Sequence, residues 1–118
     1  MTIDDYTLSD RYTQEQTTSF LSGVQALARL PLEQLMADKN NGLNTAAFVS
    51  GYPGSPLGGY GDEVDRATSI NADLPLRHIP AINEEHAATA VMGSQLVTTR
   101  ADALHQGVVG VWYGKAPG

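Results

Sequence analysis

The sequence predicts an α/β domain with a largely parallel sheet and flanking helices, and three observations predict it. Segments of helical period alternate with short apolar runs of strand length, turn residues separate them, and the order reads helix, strand, helix, strand, helix, strand. Such an order favours right-handed crossovers between parallel strands. Each apolar run is also followed at its carboxyl end by unusual chemistry: GYPGSPLGGYG after the first, Asn83, Glu84 and Glu85 after the second, YGKAPG after the third. Open α/β sheets bind ligands at that edge, so three separate segments converge on one expected site.

The elements follow in order. Residues 1–12 are polar and without period, which reads as an extended arm, and residues 13–118 as the domain proper. Thr13 and Gln16 form a capping-box pair ahead of Phe20, Leu21, Val24, Leu27 and Ala28 on one helical face. Pro31 interrupts that face, and because proline suits a first helical turn, a second short helix is expected from Leu30 and Pro31 to Met36. Asn40, Asn41 and Gly42 stop it. Residues 45–49 read as a buried strand, 62–70 as a moderately amphipathic helix, and 76–82 as a strand that Pro80 pushes to a sheet edge or an early end. Asn83 is a natural N-cap for a helix to about Thr99, whose inner face of Ala87, Ala90, Val91 and Ser94 is small enough for close packing. Residues 107–112 give the last buried strand.

Composition narrows the function. The 118 residues, 42% hydrophobic, suffice for one domain with a core. Seven Lys+Arg against 13 Asp+Glu deny the chain the basic footprint that nucleic acid and anionic membranes require. The absence of cysteine excludes disulfides, thiolate catalysis and thiolate-held metal or iron–sulfur centres within these residues, and fits a cytoplasmic protein. The acidic start is unlike a secretory signal, and no run approaches the ~20 apolar residues of a membrane span.

Several motifs compete with ordinary structural roles. Residues 51–61 hold five glycines and two prolines, a loop that can approach a ligand closely or merely make a tight turn. Gly59 and Gly61 lack a glycine three residues on, so the loop is no dinucleotide fingerprint. The stretch from Gly110 to Lys115 is one residue short of a phosphate loop, with Ala116 where a hydroxyl belongs. Glu84 and Glu85 sit in a first helical turn, where the helix dipole favours carboxylates without any further role. His86 is a lone histidine, His78 and His105 show no partner in the sequence, and no metal site is expected. Trp112 and Tyr113 end a strand and read as core as readily as pocket.

Four collinear segments, DYTLSDRYTQEQTTSFLSGVQALARLPLEQ, GLNTAAFVSGYPGSPLGGY, INEEHAATAVMGSQL and GVVGVWYGKAPG, resemble the start of the fused indolepyruvate:ferredoxin oxidoreductases, from about Asp5 to Gly118. The resemblance implies a thiamine-diphosphate fold, with this region as its pyrimidine-binding domain. It implies that Glu84, rather than Glu85, activates the aminopyrimidine, a role that needs water-poor surroundings favouring the protonated carboxyl. It further implies cofactor contacts from Gly51, Tyr52, Pro53, Gly54, Ser55, Pro56 and Asn83. Ser55 stands where related enzymes have threonine, and Gly54 where they have an apolar residue. In the full-length enzyme the resemblance implies Mg2+ and [4Fe-4S] clusters, whose ligands are not in this chain; Gly61, Asp62 and Glu63 lack the second glycine of the diphosphate motif. The implied substrate is an arylpyruvate or other 2-oxoacid, oxidatively decarboxylated to an acyl-coenzyme A with electrons passed to ferredoxin, in a homo-oligomer. A diphosphate-binding domain of the same or a partner chain would complete the site, so the chain is expected to be a piece of a longer polypeptide, inactive alone. Two alternatives stay open: a non-catalytic α/β binding or scaffolding module, and a thiamine enzyme of another branch, a decarboxylase or ligase.

Overall fold

The computed structural model describes residues 7–13, 20–54 and 57–115. Its elements are α1 (Asp10–Thr13), α2 (Gly23–Asn40), β1 (Thr45–Gly51), α3 (Tyr60–Ile70), β2 (Leu76–His78), α4 (Glu84–Ser94), a 3-10 segment (Gln95–Thr99) and β3 (Gly107–Tyr113). The three strands form an open, all-parallel sheet in the order β2-β1-β3. The α/β class and the parallel sheet expected from the sequence are therefore present.

β1 is central, so its Ala47 and Val49 are buried to 2% and below. They meet α2 and α3 on one face, where Ala28, Leu32 and Leu35 of α2 and Tyr60, Val64 and Ala67 of α3 close the core. Each large apolar side chain buried there contributes about 1.5–3 kcal/mol. α4 covers the other face, and Gly110 of β3 lets it lie close: a Cβ there would stand 2.8 Å from Gln95 Nε2 and 2.9 Å from Val91 Cγ1. Only Ala87 of α4 is fully enclosed, which leaves Met92 and, beyond the helix, Leu96 exposed.

Four departures from expectation have a physical reason. The S/T-x-x-Q pattern occurs twice, and the helix uses the second: Ser22 Oγ accepts from Gln25 N–H (3.2 Å) while Ser22 N–H donates to Gln25 Oε1 (2.9 Å). Phe20 and Leu21 thus precede α2, and Gln16 lies outside the described residues. Pro31 does not divide α2. Proline has no N–H to offer the Leu27 carbonyl four residues back, but the Tyr60 hydroxyl donates to that carbonyl from α3 (3.3 Å), so a tertiary bond replaces the missing helical one. The end of the arm is helical, and Tyr12 is fully buried with its phenol donating to Glu63, while Arg29 Nη1 ties down the Arg11 carbonyl (2.6 Å). α4 gives way to the 3-10 segment at Gln95, and does not run regularly to Thr99.

β2 is only three residues long, yet its pairing continues: Ile79 N–H donates to Val49 O (3.0 Å) and Ala81 N–H to Gly51 O (2.9 Å). Pro80 falls between these two, at the position whose N–H would point off the sheet edge. No ladder bond is lost there.

Candidate functional site

Parallel strands bring their carboxyl ends together, and hydrogen bonds stitch the three segments that follow them. Tyr52 N–H, leaving β1, donates to Tyr113 O of β3 (3.2 Å), and Ala81, leaving β2, bonds Gly51 O. Two residues on, Asn83 caps α4 through its side-chain oxygen, which accepts from His86 N–H (2.7 Å). This cap starts the helix at the sheet edge, with Glu84 and Glu85 in its first turn. The Trp112 indole N–H then donates to the Glu84 carbonyl (3.0 Å) and fixes the helix start against β3.

Glu84 and Glu85 differ in surroundings. Glu85 is exposed, whereas Glu84 is half-buried. A Cβ on Gly114 would lie 3.0 Å from Glu84 Cγ and 2.6 Å from Trp112 Cζ2, so glycine at 114 lets the Glu84 side chain and the indole close over the strand end. Among the described residues the Glu84 carboxylate has no hydrogen bond or ion pair, and it is free to meet a ligand.

Gly51 makes the other close approach. A Cβ there would overlap both the carbonyl oxygen and Cγ of Tyr113, so the Tyr113 ring lies directly over it. Of the remaining loop residues, Tyr52 and Pro53 are exposed and Gly54 is half-buried. Ser55 and Pro56 lie outside the described residues. Gly51, Asn83 and Glu84 are therefore brought together on one edge, while the reach of the loop tip is not described.

The histidines correct the sequence reading. His78 has two partners: Nδ1 is 2.7 Å from Asp65 Oδ1 and Nε2 is 2.8 Å from the Tyr113 hydroxyl, with the imidazole 3% exposed. His105 also has one, Asn44, at 3.2 Å. These partners are 13, 35 and 61 residues away, separations at which no local spacing signals contact. Burial, and then the charges of Asp65 and Asp62, push the Tyr113 phenol above its ordinary range. Burial and the neighbouring Tyr113 likewise push Tyr60 up to about 12.

Two cavities lie beside the sheet, and Glu84 lines neither. A groove of about 1080 Å3 sits mostly towards the amino ends of the strands, lined by Ala46, Leu76, Val108 and the ends of α3 and α4, with Phe48, Asp65 and His78 also in its walls. A second, of about 340 Å3, lies between α2 and β3 beside Tyr60, Trp112 and Tyr113. Among the described residues, no group of three or more His, Asp or Glu could hold a metal ion, and no helix is long and apolar enough to cross a membrane. Gly110 sits within β3, which leaves no loop there to cradle a phosphate. No family model, no curated protein and no solved structure matches this chain.

Proposed function

We propose that this chain is the pyrimidine-binding part of a thiamine-diphosphate-dependent 2-oxoacid oxidoreductase of the indolepyruvate:ferredoxin kind. One observation carries the reading: Glu84 stands half-buried at the carboxyl edge of a parallel sheet, with its carboxylate unpartnered among the described residues. The residues present fit the aminopyrimidine end of the cofactor. An unpartnered carboxylate can hydrogen-bond a ring nitrogen, and the Trp112 indole packed against Glu84 across Gly114 offers an apolar neighbour.

In this reading Glu84 shares a hydrogen with the pyrimidine N1′ nitrogen, and the Trp112 bond to its carbonyl holds the helix start while it does so. When bound, thiamine diphosphate supplies the electron sink that decarboxylation of a 2-oxoacid requires. Gly51 keeps the β1 exit close to the end of β3, the strand whose Trp112 and Gly114 meet Glu84. The diphosphate-binding domain, from the same or a partner chain, would cover the exposed side of Glu84 and exclude water from it. An arylpyruvate substrate, coenzyme A and ferredoxin follow from the resemblance in sequence.

The test uses the enzyme with thiamine diphosphate and Mg2+. Glu84→Gln is expected to abolish the circular-dichroism band of the iminopyrimidine and to lower turnover by at least about 100-fold, the scale of lost acid–base help. A Glu84→Gln enzyme that keeps both the band and normal turnover would defeat the assignment.

A further inference from the structure

The Asp65, His78 and Tyr113 side chains come from α3, β2 and β3 and form one continuous chain of hydrogen bonds. β2 and β3 lie on opposite sides of β1, so a contact between them must cross two strand spacings, roughly 10 Å. Tyr113 makes that crossing with its ring, and it can do so only because Gly51, on the strand between, has no side chain in the way. The ring is held there edge-on by Tyr60, with centroids 5.1 Å apart at 67°.

A carboxylate only accepts, so a neutral His78 turns its Nδ1–H to Asp65, and its bare Nε2 then accepts from the Tyr113 hydroxyl. The same tyrosine also accepts Tyr52 N–H through its carbonyl, and its chain neighbours Trp112 and Gly114 seat Glu84. Among the described residues β3 is an edge strand, paired on one side, and the ends of such strands fray unless something fixes them.

We propose that Asp65, His78 and Tyr113 are positioning residues that pin the end of β3 across the sheet and so fix the placement of Glu84 and the exit of the glycine loop. The importance given to Glu84 rests on the thiamine reading. The pinning itself does not, and it is measurable on the chain without cofactor.

The probe is Trp112, the single tryptophan. Its indole N–H reports the Glu84 contact, and the Tyr52 amide reports the end of β3. Asp65→Asn, a change at an exposed carboxylate, cuts the first hydrogen bond of the chain, and Tyr113→Phe keeps the ring over Gly51 but removes the hydroxyl of the second. In each variant, hydrogen exchange at the Trp112 indole and at the Tyr52 amide is expected to rise together by about tenfold, while the amide of Leu32, buried in α2 outside the network, keeps its native exchange. Native exchange at both reporters in Asp65→Asn, or a rise shared equally by Leu32, would overturn the proposal even if Tyr113→Phe failed to fold. Because thiamine diphosphate is absent throughout, a failure of the Glu84→Gln test leaves these outcomes untouched.

Discussion

Replacing Tyr60 by phenylalanine removes one oxygen and nothing else, since the ring keeps its edge contact with Tyr113. That oxygen donates to the Leu27 carbonyl, which Pro31 leaves without its helical partner. An ordinary hydrogen bond contributes about 1 kcal/mol net, and an acceptor stranded away from water costs about 1–3 kcal/mol. At 3.3 Å the bond is long, and carbonyls tolerate loss better than N–H groups, so Tyr60→Phe is expected to cost about 1–2 kcal/mol. For a chain of this length that lowers Tm by about 3–10 °C. The decisive measurement is a double-mutant cycle with Pro31→Ala, followed by urea unfolding. Alanine in place of Pro31 restores the N–H for the Leu27 carbonyl, so in that background Tyr60→Phe should cost less than about 0.5 kcal/mol, a coupling near ~1 kcal/mol between residues on different helices. An equal cost of Tyr60→Phe in both backgrounds would refute the account of how α2 passes through its proline.

Three further outcomes are expected. Gly51→Ala drives a Cβ into the Tyr113 carbonyl oxygen, backbone that cannot swing aside, and should cost at least about 2–3 kcal/mol in thermal unfolding. Gly93→Ala, within α4 with nothing within 4 Å of the new Cβ, should instead stabilise by about 0.5–1 kcal/mol, serving as the matched control. Tyr12→Phe removes a hydrogen bond to a charged group and should cost about 1.5–3 kcal/mol at neutral pH. The Tyr12 bond, aided by Arg66 and Arg11 and opposed by burial, holds the Glu63 carboxyl below its ordinary range. A depressed folded value contributes stability that is present above the unfolded pKa near ~4.3 and is lost as pH falls through the folded value, so the Tyr12→Phe deficit should shrink in acid. Urea unfolding at a series of pH values reads it directly.

By itself the sequence determined what depends on neighbours a few residues apart. Strand runs at β1 and β3, the Asn83 cap and the small face of α4 are local patterns, and they stand where expected. So does the convergence on one edge, because parallel strands of one sheet must bring their carboxyl ends to the same side. Tertiary structure decided the rest. Whether Pro31 breaks a helix depended on a hydroxyl 33 residues away from Leu27 in sequence. The sequence likewise could not distinguish Glu84 from Glu85 by physics, since both sit in one helical turn; only the packing of Trp112 and Gly114 against the first separates them. His78 looked partnerless for the same reason: its hydrogen bonds join three elements across a glycine, and contacts of that range exist only once the chain has folded.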